Sequence, residues 1–163
     1  AGVEHLPALV DLLVSAAAGG PLAKVESLVV GVARRGDKAE AGVQAVLAGL
    51  AGEIPVAARC SLLDILGRLA QPLGLEALYA ALGHPEADVC KAAIKALADW
   101  PDAAPLERLR QVSRESSVET HRILALRGYA RLLALPNQRP MAETLRLYRE
   151  ALGLAQGDAG MRS

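Results

Sequence analysis

The residues with the greatest chemical capacity cluster late in the chain, where Thr120, His121, Arg122, Arg127 and Arg131 bring a hydroxyl, an imidazole and three guanidinium groups together. On a helix, Thr120, Arg127 and Arg131 share one face, because they are spaced by seven and then four residues. Arg127 also aligns with Lys95 in an earlier, similar stretch, which draws a basic line along successive helices. A guanidinium fork matches a carboxylate or another planar anion bidentately. Lys95, His121, Arg127 and Arg131 are therefore the candidate contacts to a partner. The competing use of the same charges is internal: Arg127 or Arg122 could pair with Asp99, Asp102 or Glu119 and tie adjacent parts of the fold together.

The spacings that catalysis needs are missing. His5, His84 and His121 fall in separate segments, with no HExxH and no pair of histidines on one helical turn. There is no GxSxG elbow, no GxGxxG and no P-loop, and Gly19-Gly20-Pro21 lacks the Lys-Ser/Thr that would hold a phosphate. The carboxylates are spread over many faces. Cys60 and Cys90 form no CxxC, and free cysteine is usually a small buried hydrophobe. Buried free thiols are expected, with a disulfide between them left open. These patterns predict no catalytic residue, no cofactor and no metal, hence not an enzyme.

Composition excludes several classes. The chain has 163 residues, with 18 Lys+Arg against 18 Asp+Glu, so its net charge is zero. That balance lacks the electrostatic footprint of a nucleic-acid binder, and no nucleic-acid partner is expected. Hydrophobic residues make up 52% and aromatics 2%, with no Phe, so Ala, Leu and Val supply the apolar mass and disorder is excluded. No apolar run approaches the roughly 20 residues of a membrane span. No basic segment opens a signal peptide. The first residue is Ala1 rather than Met, which is read as processing or as a piece of a longer chain.

The elements that position these residues are helices. Apolar residues recur at spacings of three and four, without alternating β-branched runs. The pattern predicts nine helices, over 6–17, 21–34, 38–51, 55–69, 72–83, 87–99, 103–113, 117–134 and 140–153. A single domain is expected over 1–156, followed by a flexible tail over 157–163. Pro21, Pro55 and Pro72 suit first turns, where a missing N–H costs nothing. Asp37 with Glu40, and Ser116 with Glu119, read as capping boxes, and Asp102 as the cap of the helix after Pro101. Gly36, Gly52 and Gly83 stand where left-handed helix ends are wanted.

The helices repeat. Arg59 to Leu69, Cys90 to Trp100 and Arg122 to Leu132 superpose at offsets of 31 and 32 residues. Leu63, Ile94 and Leu126 coincide, as do Leu66, Leu97 and Tyr129, each followed by a small residue, Gly67, Ala98 or Ala130, that would let helices approach. Val43, Val46 and Leu50 recur as Leu75, Leu78 and Leu82, then as Leu106 and Leu109. The unit is a helical hairpin used about four times, with a last helix as a cap. A lone hairpin cannot bury its apolar face, whereas stacked copies can, so an all-α right-handed α-solenoid is expected. Trp100 would fill a gap between hairpins, and Tyr129 stands at the position of Leu66 and Leu97.

The stretch His84-Pro85-Glu86-Ala87-Asp88-Val89-Cys90-Lys91-Ala92-Ala93-Ile94-Lys95-Ala96-Leu97 resembles the turn and second helix of a HEAT repeat. That family usually reads Asp-Pro-x-x-x-Val-Arg-x-Ala-Ala-x-x-Ala-Leu. Here His84 replaces the Asp and Cys90 the Arg, although Arg59 and Arg122 hold the Arg position in neighbouring copies. The segments 96–106 and 119–129 resemble HEAT domains of large exported multidomain proteins of the planctomycete, verrucomicrobial and Bacteroides type. The resemblance implies a non-catalytic protein-interaction or spacer domain whose partner is a protein or a neighbouring domain of the same polypeptide, in an exported or periplasmic setting. Its first rival is an accessory wall or lid of a sugar-processing enzyme. A more remote one is a nucleic-acid-binding HEAT-like solenoid.

Overall fold

The computed structural model describes residues 3–16, 22–34, 39–136 and 138–160. Among the described residues the protein is all-helical, with nine α-helices and no strand. They are α1 (Leu6–Ala16), α2 (Leu22–Ala33), α3 (Ala39–Leu50), α4 (Val56–Leu69), α5 (Leu75–Ala81), α6 (Ala87–Ala98), α7 (Leu106–Glu115), α8 (Glu119–Leu133) and α9 (Met141–Gly160). Short 3-10 turns at Val3–His5 and Pro72–Gly74 lead into α1 and α5. The expected helix over 72–83 is thus split, its first turn being 3-10. The expected tail from Gly157 begins inside α9, which runs on to Gly160. Pro21, Gly36 and Asp37 lie outside the described residues, as do 161–163.

Proline sets three of the helix starts. Pro55, Pro105 and Pro140 each precede the first helical residue, and their carbonyls accept from the amides of Arg59, Leu109 and Thr144 at 3.0 Å. Two expected caps are differently built. Asp102 Oδ1 accepts from the Ala104 amide at 2.8 Å, which closes a turn ahead of α7 while Pro105 takes the cap position. Val118 rather than Ser116 caps α8, with no side-chain bond, and the Ser116 hydroxyl accepts from the Val118 amide at 3.3 Å. Gly52 and Gly83 do not adopt positive φ; the left-handed residue is Ala70, with φ 50°, whose amide donates to the Leu66 carbonyl at the end of α4.

The chain divides into two compact units, Ala1–Ala96 and Leu97–Ser163. In the first, α1 packs on α2 and α3, α3 packs on α4, α2 packs on α4, and α4 packs on α5. First helices thus touch first helices, and second helices touch second helices. Val10, Leu13, Val29, Val43, Val46, Leu62, Leu66, Leu78 and Ile94 are fully buried there. Each such aliphatic contributes about 1.5–3 kcal/mol of burial. Gly67 of α4 is a contact point: a Cβ on it would stand 2.7 Å from the Ala96 Cβ and 2.9 Å from its Cα.

In the second unit, α8 packs between α7 and α9. Leu97, Trp100, Leu109, Ala125, Tyr129, Leu132 and Leu147 are buried there. Trp100 is 1% exposed, as expected of a large filler in a chain without Phe. The Tyr129 ring is fully buried and its hydroxyl donates to the Leu147 carbonyl at 3.3 Å. Most of the aligned apolar positions are core, while Leu50, Leu75, Leu82 and Leu126 are half-buried. The expected small residue Ala130 is exposed, and Gly128 makes the close approach instead. A Cβ on Gly128 would meet Ala98 Cβ at 2.5 Å and Leu109 Cδ1 at 2.9 Å. Among the described residues no helix is long and apolar enough to cross a membrane.

Candidate interaction site

In the first unit, three second-position helices line one groove of about 340 Å³. α2 contributes Glu26, α4 contributes Cys60, Ser61 and Asp64, and α6 contributes Asp88, Lys91, Ala92 and Lys95. Spacings of three, four and seven residues put each helix's contribution on a single face. The groove therefore carries three carboxylates and two ammonium groups. Its size lies at the small end of the range of ligand pockets. Among the described residues, Glu26, Asp88, Lys91 and Lys95 form no ion pair, and Asp64 reaches only Arg68, at 3.8 Å and one turn on. Such an exposed contact is worth little, so the charges of the groove remain open to an incoming group.

Cys60 and Cys90 are free thiols, Cys60 half-buried and Cys90 buried. Burial pushes the Cys60 thiol up from its ordinary value, and the nearby Asp88 carboxylate pushes it further. Burial alone raises Cys90. Both are held as thiols at neutral pH, and the thiolate, not the thiol, is the nucleophile.

Of the expected contacts, Lys95 is exposed and lines this groove. The others belong to the second unit. Arg127 is exposed on α8 and, among the described residues, makes no ion pair. Arg131 is exposed too, but its Nη1 donates to the Ala98 and Trp100 carbonyls at 2.9 Å each, so the guanidinium satisfies the end of α6. Arg131 thus makes an internal tie that the sequence did not assign to it, to carbonyls rather than carboxylates. His121 is 5% exposed, which takes it off the surface a contact residue must occupy.

The equivalent residues Arg59, Cys90 and Arg122 share one task. Arg59 donates to the Leu50 and Gly52 carbonyls at 3.1 and 3.2 Å, at and just past the end of α3. Cys90 Sγ donates to the Leu82 carbonyl at 3.2 Å, just past α5. Arg122 donates to the Ser116 carbonyl at 3.1 Å, just past α7. In each copy the second helix thus caps the C-terminus of the first, where the orphan carbonyls lie. A cysteine fits here because the bond is made to one carbonyl at short range.

Two features were not read from the sequence. Arg110 of α7 makes a two-pronged contact with Glu150 of α9, Nε to Oε1 at 2.8 Å and Nη2 to Oε2 at 2.9 Å, and reaches Glu107 at 3.0 Å. Arg114 and Arg146 approach Glu150 at 3.7 and 3.9 Å. Both partners of the fork are about four-fifths buried, at 21% and 22% side-chain exposure. The Arg110 hydrogen bond holds the Glu150 carboxyl below its usual range, more than burial raises it. No local pattern links residues 40 apart. The second feature is an exposed stripe on α9, Met141, Leu145, Tyr148 and Leu152, opposite the buried Leu147 and Ala151. Its 4-3-4 spacing lies within the expected helix, but the core residues Leu147 and Ala151 interleaved with it hide a second apolar face.

Among the described residues no group of three His, Cys, Asp or Glu side chains could hold a metal ion. Compared with known proteins, the chain matches no family model, no curated protein and no solved structure.

Proposed function

We propose that the chain is a HEAT-like α-solenoid module that binds a segment of a protein partner on the face of its second helices and catalyses no reaction. The observation that carries this reading is the groove of α2, α4 and α6, where both signs of charge stand on adjacent helices without neutralising one another. The repeat supports it: Arg59, Cys90 and Arg122 perform the same capping task at the same place in successive hairpins. First helices packing on first helices, and second on second, is the stacking by which such repeats bury a continuous core. That arrangement leaves one row of helices to face a ligand. The groups in the groove suit recognition, since fixed charges give register and selectivity.

The test is selection of a displayed random-peptide library on the protein, with K91E/K95E and R127E proteins as counter-screens. The reading expects enriched peptides that lose binding to K91E/K95E and keep it on R127E. Peptides that depend on Arg127 and ignore Lys91 and Lys95 would move the binding face to α8 and refute it.

A further inference from the structure

The charge pattern of the groove narrows what it holds. We infer that its ligand is a dipolar peptide segment, one that presents a basic side chain and a carboxylate one to three residues apart; this rests on the groove being the binding face. The acids lie on three helices, Glu26 on α2, Asp64 on α4 and Asp88 in the first turn of α6. The ammonium groups lie only on α6, at Lys91 and Lys95. At 1.5 Å rise per residue, Lys91 and Lys95 stand about 5 and 10 Å along α6 from Asp88. An extended chain covers that distance in about one to three residues.

Each single-sign ligand meets an opposing group. A wholly basic segment satisfies Glu26, Asp64 and Asp88 but sets a cation against Lys91 and Lys95. A wholly acidic segment, or a phosphate backbone, satisfies the lysines but faces three carboxylates. Like charges brought together at an interface are a strong source of discrimination. Only a ligand with both signs uses every charge in the groove. A volume of about 340 Å³ accommodates one or two side chains rather than a folded surface, so the segment enters as an exposed loop or an extended strand.

The probes are capped peptides, acetylated and amidated to remove terminal charge, in a Gly-Ser background. One set carries Arg and Glu separated by one, two or three residues; two controls carry Arg alone or Glu alone. Fluorescence anisotropy is read on wild type, on K91E/K95E and on R127E, with circular dichroism confirming helicity. Wild type and R127E are expected to bind the best dipolar peptide roughly tenfold more tightly than either control, since each charged contact is worth about that factor. K91E/K95E, whose groove is acidic only, is expected to prefer the Arg-alone peptide. If a single-sign control binds wild type as tightly as the dipolar peptides, and K91E/K95E still changes that binding, the dipolar assignment is overturned while the groove stands. If K91E/K95E changes no peptide's binding, the groove itself is refuted and this inference with it.

Discussion

Gly67 and Ala96 bring α4 and α6 so close that a methyl group on the glycine would lie 2.7 Å from the alanine Cβ. Glycine inside a helix normally costs about 1 kcal/mol relative to alanine, so the contact, not propensity, explains its presence. Gly67→Ala is expected to destabilise the protein by about 1–3 kcal/mol, because backbone atoms must move apart. Gly153 in α9 has nothing within 4 Å of its Cβ position. Gly153→Ala is expected to stabilise by about 0.5–1 kcal/mol. Denaturant unfolding of both variants checks the pair, and the opposite signs are the expectation.

The Arg110–Glu150 fork gives stability a particular pH dependence. Because the folded Glu150 carboxyl titrates below its ordinary value, its contribution is present above about pH 4.3 and is lost as pH falls through the lower folded value. Glu150→Gln is expected to cost about 1.5–3 kcal/mol at pH 7, the range for hydrogen bonds to charged groups. The gap between variant and wild type should close in unfolding curves taken below pH 4. A gap of constant size from pH 7 to pH 3 would show that the charge of Glu150 does not supply the stability.

Arg131 and Arg127 lie one helical turn apart on α8 and should behave differently. Arg131→Met removes both bonds to the end of α6. About 1 kcal/mol is expected to be lost, modest because the side chain is exposed. Arg127→Met is expected to change stability by less than about 0.5 kcal/mol. Thermal or denaturant unfolding distinguishes them, and equal effects would contradict the assigned contacts.

The Cys60 thiol reports on the groove. Asp88 raises its pKa, so Asp88→Asn lowers it and increases the thiolate fraction. Iodoacetamide labelling followed by mass spectrometry at mildly alkaline pH should show faster modification of Cys60 in the variant. Cys90, raised by burial alone, should keep its rate. Cys60 remains slower than a free thiol, because burial is the larger cause.

Local periodicity made the helices legible. Leu63 with Leu66, and Ile94 with Leu97, mark buried faces by spacing alone, and those residues are core. The repeat offsets also placed Arg59, Cys90 and Arg122 in one equivalent position before their common task was visible. Lys95 was legible as part of a basic line, but its acidic neighbours Glu26 and Asp64 were not, since only the packing of α2 and α4 against one another brings them to the same groove. Arg131 looked like a ligand contact because a guanidinium does not announce whether it will meet a carboxylate or a backbone carbonyl. Gly128 rather than Ala130 makes the close approach because the contact joins two different positions of the repeat: Gly67 meets Ala96, and their equivalents Ala98 and Gly128 meet in the same way.

The central claim is that partners bind across α2, α4 and α6, and backbone amide shift mapping by NMR with a saturating dipolar peptide tests it most directly. The largest shifts are expected at and beside Glu26, Asp64, Asp88, Lys91 and Lys95, with α8 around Arg127 unchanged. Shifts concentrated on α8, or on the Met141–Leu152 stripe of α9, would contradict it.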